Sequence, residues 1–351
     1  MIRVLLVDDS PLMLTVLQQQ LERPGSGIQV VATAANGREA LARLTKTAPD
    51  VILSDIYMPV MDGLALTEAV MRDDPRPILI VSIAVERGSG DDMIFRALAA
   101  GAVDVFAKPR DTLNAPTEAM AQALINKVRV LAGVRVVTRR TPATRAPAPV
   151  PVRSGQAVIG TPRIIVMGAS TGGPQTYLHI LSALAGDFSV PIVCVQHIGE
   201  GFNETFLHWL SQNTPLRVGV AQVGEIPQPG QVYFPPEDRH LIFDKAGRFQ
   251  YHPGQPGELH RPSVSTTFQA AAAVFGARTL GILLTGMGRD GAEGLLAIRR
   301  AGGETWAQDE ASSVVFGMPK AAIDLDAAQQ ILPLTDIPAL LSRLARPTSL
   351  P

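Results

Sequence analysis

The chain has 351 residues, of which 46% are hydrophobic and 18% charged, as expected for a globular protein with apolar material for two cores. Its 31 basic and 32 acidic side chains nearly cancel, which argues against a nucleic-acid or membrane-surface protein. The single cysteine, Cys194, excludes an internal disulfide and a cysteine metal cluster. The first apolar run meets Asp8 and Asp9 too early for a signal peptide, and no run suits a membrane span. We expect a cytoplasmic monomer of two domains.

Residues 1–134 alternate strand and helix patterns five times. The pattern predicts a five-stranded parallel α/β sheet with helices on both of its faces. The predicted strands cover residues 4–7, 30–34, 51–54, 78–82 and 103–107, and the last helix covers residues 117–131.

Polar side chains gather where these strands end: Asp8 and Asp9 after the first, Asp55 after the third, Ser82 in the fourth and Lys108 after the fifth. Neighbouring carboxylates repel each other when both are ionised, and a bound cation relieves this repulsion. The three aspartates therefore predict a Mg²⁺ site. Lys108 adds a fixed positive charge and Ser82 a hydroxyl, which together suit a phosphoryl group bonded to an aspartate. Taken singly, each aspartate is also an ordinary turn residue.

Four motifs give this segment a resemblance to a two-component receiver domain of flavodoxin-like fold. They are Val7-Asp-Asp-Ser10, Ser54-Asp-Ile-Tyr-Met-Pro-Val-Met-Asp-Gly63, Ser82 and Ala107-Lys-Pro109. The resemblance implies that Asp55 accepts a phosphoryl group from a histidine kinase. It also implies that Asp8, Asp9, Asp55 and the carbonyl of Tyr57 bind Mg²⁺, and that Ser82 and Lys108 sense the phosphate. Receivers usually carry an aromatic residue at the position of Val105. In this chain the aromatic residue is the next one, Phe106.

Residues 135–162 are rich in proline and arginine and lack aromatic side chains. Such a composition cannot bury a core and predicts an extended, semi-rigid linker. We therefore expect a receiver domain at 1–134, this linker, and a second domain at 163–346.

The second domain repeats the α/β pattern, with predicted strands at 164–167, 190–196, 279–284 and 304–307. The fold class expected is doubly wound and mainly parallel. The alternating segment 230–251 predicts an antiparallel hairpin inserted in the sheet.

Ser170 stands in a glycine-rich turn between a buried strand and a helix whose first turn contains Pro174. Ligands bind open α/β sheets at this edge, and the helix start offers free N–H groups to an oxyanion. Two alternatives remain. A dinucleotide-binding loop would need a different glycine spacing and an acidic residue after the next strand. A serine that only bonds its own turn would carry no chemistry.

Ser170, His197 and Asp290 each follow a predicted parallel strand, so all three are expected at one sheet edge. His197 is suited to take the serine proton, and Asp290 to orient the imidazole. Each residue also has a structural explanation: His197 as a polar strand end, and Asp290 with Glu293 as a helix capping box. His240 and His260 are rival bases.

Several motifs in this half are similar to the catalytic domain of chemotaxis protein-glutamate methylesterases. They are Gly168-Ala-Ser-Thr-Gly-Gly-Pro174, Gln196-His197, Asp238-Arg-His240, Arg261-Pro-Ser263 and Leu284-Thr-Gly-Met-Gly-Arg-Asp-Gly-Ala292. The resemblance implies a Ser170–His197–Asp290 triad and an oxyanion hole formed near Met287 and Thr171. It implies hydrolysis of glutamate γ-methyl esters, and deamidation of glutamines, on chemoreceptors, with no cofactor for the esterase step. Ser265 stands where this family more often has an aspartate.

Two other functions compete with this one. A transcriptional regulator is disfavoured because residues 161–351 carry more acidic than basic side chains and show no basic recognition helix. A catalytically idle adaptor, which would use the same fold only to bind partners, remains the alternative.

Overall fold

The structure is a computed structural model that describes residues 1–83, 92–108, 117–134, 136, 161–254, 258 and 260–344. Most of the predicted linker, residues 137–160, lies outside the described residues. Within the described ranges, no helix is both long enough and apolar enough to cross a lipid bilayer.

The N-terminal half is a five-stranded parallel sheet with the spatial order β2-β1-β3-β4-β5. All five predicted strands are confirmed, with ends that differ by at most two residues. The strands are β1 (Ile2–Val7), β2 (Ile28–Ala34), β3 (Val51–Ser54), β4 (Ile78–Ser82) and β5 (Asp104–Ala107). The helices are α1 (Pro11–Leu21), α2 (Gly37–Thr47), α3 (Gly63–Asp73), α4 (Met93–Ala100) and α5 (Glu118–Leu131).

The C-terminal half contains a seven-stranded sheet, ordered β14-β13-β12-β6-β7-β9-β8, in which every pairing is parallel. Its strands are β6 (Ile164–Ala169), β7 (Ile192–Gln196), β8 (Arg217–Val220), β9 (Gln231–Phe234), β12 (Thr279–Leu283), β13 (Glu304–Gln308) and β14 (Gln330–Leu332). The helices are α6 (Gly173–Ser182), α7 (Asn203–Gln212), α8 (Val264–Phe275), α9 (Ala292–Arg300), α10 (Met318–Asp324) and α11 (Ile337–Leu344).

The predicted antiparallel insertion is only partly correct. Within residues 230–251, β9 joins the main sheet in parallel with β7 and β8. The antiparallel pair consists of β10 (His240–Phe243) and β11 (Phe249–His252), which form a separate two-stranded sheet. The physical reason is that β9 is almost completely buried and finds parallel partners on both sides, so it is not available to a hairpin.

Strand β6 is the centre of the C-terminal core because helices cover both of its faces. Ile164 and Val166 face one apolar cluster, and Ile165 and Met167 face another. Cys194 of β7 is fully buried in the second cluster.

The two halves share one apolar cluster. Phe95 of α4 is fully buried, and its ring centroid lies 5.5 Å from those of Phe206 and Trp209 of α7. An aromatic contact of this kind is worth about 0.5–1.5 kcal/mol beyond the area it buries. The face of the N-terminal half that carries α4 and β5 therefore packs against the C-terminal half.

Helices α8 and α9 approach closely at Gly294, where an added Cβ would lie 2.6 Å from the Phe268 Cβ and 2.8 Å from the Ser265 Cα. We predict that Gly294→Ala lowers the free energy of unfolding by about 1–3 kcal/mol, because the helices must separate. Gly219→Ala is the matched control, since its Cβ would meet nothing within 4 Å. Urea unfolding of both variants checks the prediction, and equal stabilities would contradict it.

Candidate active site and phosphorylation site

The register of the C-terminal sheet sets the positions of the candidate catalytic residues. Ala169 of β6 pairs with Gln196 of β7, so Ser170 and His197 follow neighbouring strands at the same edge. On the other side β6 pairs with β12, and the loop after β12 carries Asp290. The structure thus brings the three predicted residues to one sheet edge.

The turn that holds Ser170 is fixed by backbone hydrogen bonds. The Ser170 N–H donates to the Thr285 carbonyl at 3.0 Å, and the Gly173 N–H donates to the Ser170 carbonyl at 2.8 Å. Gly172 caps α6 with φ +78°, a left-handed conformation that favours glycine. Pro174 lies in the first turn of α6, as predicted.

The loop after β12 also lies against Ser170. An added Cβ on Gly286 would be 2.8 Å from the Ser170 Cβ, so only glycine permits this approach. Met287 comes next in the loop. Neither Met287 nor Thr171 donates its backbone N–H to another residue in the described part of the chain, which leaves both available to a ligand oxygen.

His197 and Asp290 form a direct pair, with 3.0 Å between the imidazole Nε2 and the carboxylate Oδ2. The opposite ring nitrogen, Nδ1, is buried and has no hydrogen-bond partner among the described residues. A neutral imidazole that donates Nε2–H to Asp290 keeps a lone pair on Nδ1. His197 is therefore equipped to accept a proton at Nδ1.

The Asp290 carboxylate lies against the start of α8, where backbone N–H groups have no acceptor within the helix. It accepts hydrogen bonds from the N–H of Val264 at 2.7 Å, the N–H of Ser265 at 3.0 Å and the hydroxyl of Ser263 at 3.0 Å. Burial alone would raise the pKa of Asp290, but hydrogen bonds from His197 and Ser265 outweigh it and hold the pKa well below its ordinary value. Asp290 is consequently ionised and can stabilise a positive charge on His197.

The predicted capping box at the start of α9 is wrong. Gly291, with φ +92°, caps α9 without a side-chain hydrogen bond. Asp290 instead binds the N-terminus of α8, because the sheet edge brings that helix start next to the loop. Ser265, the departure from the family pattern, bonds the same loop by accepting the Gly291 N–H at 2.7 Å.

The two rival histidines have other contacts. His240 Nε2 lies 2.6 Å from Glu258 Oε2, and its Nδ1 accepts the Ser263 N–H at 3.0 Å. Both nitrogens of His240 are thus engaged. His260 stacks on His197 with 4.3 Å between ring centroids.

Gln196 is a site residue that sequence reasoning missed. Its side-chain amide nitrogen donates to the carbonyls of both Ser170 and His197, each at 2.8 Å. One buried amide therefore ties the loops of the candidate nucleophile and base together. Its position in the sequence directly before His197 is the feature that could have indicated a role in the site.

The candidate phosphorylation site is an acidic cluster at the edge of the N-terminal sheet. Lys108 Nζ lies 2.6 Å from Asp55 Oδ2 and 2.7 Å from Asp8 Oδ2, and all three side chains are buried. Burial raises the pKa of Asp55, and the hydrogen bond and charge of Lys108 offset this only partly. Lys108 alone therefore does not fully stabilise the ionised form of Asp55, and a second cation beside the cluster would stabilise it further.

Ligand oxygens of Asp8, Asp9 and Asp55 lie within 4.8 Å of one another, a set that fits a hard divalent cation such as Mg²⁺. Tyr57 lies two residues beyond Asp55, and its carbonyl as a ligand stays a prediction. Ser82 is buried at the end of β4, and its backbone carbonyl accepts the Lys108 N–H at 2.9 Å. Val105 is buried and Phe106 is half-buried beside it.

A contact between the halves reaches the candidate active site. The Thr171 hydroxyl donates to Asp104 Oδ2 at 2.7 Å, and Lys127 Nζ lies 2.6 Å from the same oxygen. Asp104 begins β5, and Lys108 follows the end of that strand. Strand β5 thus connects Lys108 of the acidic cluster with Asp104, which contacts Thr171 next to Ser170.

We predict that Gln196→Glu lowers kcat for ester hydrolysis by about 10- to 100-fold, because a carboxylate cannot donate to the two carbonyls and the loops shift. Gln222→Glu is the control: Gln222 is exposed and donates to one backbone carbonyl. Steady-state kinetics of both variants checks this. An unchanged kcat for Gln196→Glu would show that its amide does not position the site.

Two family models match the chain: a response regulator receiver domain over residues 4–116 and the CheB methylesterase over residues 165–341. A crystal structure of the CheB methylesterase catalytic domain of Thermotoga maritima is 37% identical with a TM-score of 0.50. That match covers 52% of this chain and 98% of the solved one.

Relatives match this chain over almost its full length. A protein-glutamate methylesterase/protein-glutamine glutaminase of Myxococcus xanthus is 44% identical, covering 97% of this chain and 93% of its own length. One from Methanospirillum hungatei is 42% identical over 98% of this chain and 99% of its own. The chain therefore belongs to the family of protein-glutamate methylesterases/protein-glutamine glutaminases, with a response regulator receiver domain joined to a methylesterase domain.

Proposed function

We propose that this protein is a phosphorylation-activated serine esterase that hydrolyses glutamate γ-methyl esters on the cytoplasmic part of chemoreceptors and deamidates glutamines there. The observation that carries the catalytic assignment is the His197–Asp290 pair, which leaves the imidazole Nδ1 without a partner among the described residues at the edge that also holds Ser170. An imidazole whose Nε2 is held by Asp290 and whose Nδ1 has no partner among the described residues is suited to accept a proton from a serine hydroxyl.

In the acylation step, the Ser170 oxygen attacks the γ-ester carbonyl while His197 Nδ1 takes the hydroxyl proton. Asp290 stabilises the imidazolium through Nε2, which supports charge separation in a partly buried site. The tetrahedral intermediate then expels methoxide, which leaves as methanol with the proton from His197. Ser170 remains esterified to the glutamyl group.

The oxyanion of this intermediate is assigned to the backbone N–H groups of Met287 and Thr171. Neither donates to another described residue, and the close approach of Gly286 to Ser170 supports a position next to the reacting carbonyl. Water, deprotonated by His197, attacks the acyl group in the second step and frees glutamate. A glutamine amide passes through a similar oxyanion and releases ammonia.

The receiver domain accepts its phosphoryl group on Asp55 from a histidine kinase. Asp8, Asp9 and Asp55 would hold Mg²⁺, which neutralises charge on the transferring phosphoryl group when bound. Lys108 already contacts Asp55, so it is placed to bind the phosphoryl oxygens. Ser82, buried at the end of the neighbouring strand, is assigned the accompanying hydroxyl contact.

We further propose that the unphosphorylated receiver restrains the Ser170 edge. Gln175 of α6 donates its amide to the carbonyls of Leu98 at 3.0 Å and Ala102 at 2.6 Å, both in the receiver. The Thr171–Asp104 bond adds a contact directly beside Ser170. Because Lys108 and Asp104 lie at opposite ends of β5, movement of Lys108 toward a phosphoryl group would strain these contacts.

The alternative of a catalytically idle adaptor is less well supported. A binding role alone does not require an ionised carboxylate held against a histidine by four further hydrogen bonds, three from the start of α8 and one from the Gly291 N–H. Such a buried charge is costly unless its partners are all present.

Methanol release from a methylated chemoreceptor, with and without acetyl phosphate, tests the proposed activity. We expect wild type to release methanol faster with acetyl phosphate, and Ser170→Ala to release at least about 10³-fold less in either condition, because the nucleophile is lost. Thermal unfolding confirms that the variant is folded. Equal methanol release from wild type and Ser170→Ala would exclude the proposal that the protein is an esterase with Ser170 as its nucleophile.

The restraint by the receiver is tested with Gln175→Glu, which turns an amide donor into a carboxylate facing two carbonyls. We expect the rate without acetyl phosphate to rise about 5- to 150-fold, the range of a typical coupling free energy, while the phosphorylated rate stays unchanged. Gln222→Glu again serves as the control. A variant that keeps the low unphosphorylated rate would show that this contact does not restrain the site.

A further inference from the structure

His260 is placed over the ring of the candidate base. The two imidazoles are nearly parallel, with an interplanar angle of 6° and 4.3 Å between centroids. His260 itself is exposed, whereas the His197 side chain is only 12% exposed. His260 therefore lies between one face of His197 and the solvent.

The hydrogen bond to Asp290 fixes His197 at a single atom, Nε2. A ring held at one atom can still tilt about that contact, and a tilt would move Nδ1 relative to Ser170. A second ring stacked on its face resists this tilt, since parallel offset rings attract each other while a tilted ring loses contact. The stacked ring also keeps water from that face.

The segment that carries His260 is itself anchored. His240 accepts the Ser263 N–H at 3.0 Å and contacts Glu258 at 2.6 Å, so this buried histidine holds the segment at two points. The same segment continues into the start of α8, where Ser263, Val264 and Ser265 bind Asp290. One anchored stretch of chain therefore contacts both the base and the carboxylate.

The charge state of His260 is compatible with this role. Although His260 as a whole is exposed, its stacked ring is partly withdrawn from water, which lowers the pKa of His260; the proximity of His197 lowers this pKa further, while Asp290 acts in the opposite direction. A neutral ring does not repel the imidazolium that forms on His197 when it takes a proton.

We propose that His260 is a positioning residue that holds the ring plane of His197 so that Nδ1 faces Ser170. The proposal rests on the proposed esterase function and adds one residue to it. Its action is on the reaction step, so it predicts an effect on kcat with little effect on KM.

The test is methanol release by the full chain with saturating acetyl phosphate. His260→Ala is expected to lower kcat about 3- to 10-fold, the range of an aromatic pair, with KM changed less than about twofold. His260→Phe keeps a flat ring without imidazole nitrogens and is expected to restore at least half of the wild-type kcat. His208→Ala, which removes an exposed histidine of α7, is the control.

Thermal unfolding of each variant separates loss of positioning from loss of fold. A kcat for His260→Ala equal to that of wild type would overturn the proposal. So would a His260→Phe variant that is folded but as slow as His260→Ala, because a polar contact would then be responsible. Failure of the esterase function itself is distinguishable, since wild type and Ser170→Ala would then release equal methanol.

Discussion

The active-site geometry depends on the Asp290 carboxylate at the N-terminus of α8. A buried carboxylate is expensive unless donors surround it, and here donors come from the helix start, from Ser263 and from His197. The favourable end of the helix dipole adds to this. The donors come from two parts of the fold, the start of α8 and His197, so ionised Asp290 ties the loop after β12 to both α8 and the loop after β7.

The same arrangement accounts for the unusual density of glycine around the site. The loop after β12 reaches Asp290 by passing directly over Ser170, and a side chain at Gly286 would collide with the Met318 Sδ at 2.3 Å and the Ser170 Cβ at 2.8 Å. Gly291 must then turn into α9 beneath Val264, where its Cβ would meet the Val264 Cγ1 at 2.7 Å. Close approach of three backbone segments is the condition for placing Asp290, His197 and Ser170 at one sheet edge.

Much of this architecture could be predicted from the sequence because buried parallel strands leave a strong local pattern. The runs that became β3, β4 and β6 are uncharged and rich in β-branched residues, and the polar residues at or after their ends mark the sheet edge. The short edge strands β8 and β14 gave no such signal, since half-exposed strands of four and three residues resemble loops. Strand β9 lies in the segment 230–251 that was predicted as a hairpin, and only its tertiary partners decide that it pairs in parallel.

What the sequence could not supply is the set of contacts made between distant segments. Asp104 looks like an ordinary strand residue, and nothing local indicates that its carboxylate accepts the hydroxyl of Thr171, 67 positions away. Yet this contact, with the amide of Gln175, joins the strand before Lys108 to the turn of Ser170. Since β5 is only four residues long and paired to β4 throughout, a displacement at one end is not easily absorbed before the other. Strand β5 therefore connects the two halves: Asp104 at its start contacts Thr171, next to Ser170, and Lys108 directly after its end contacts Asp55.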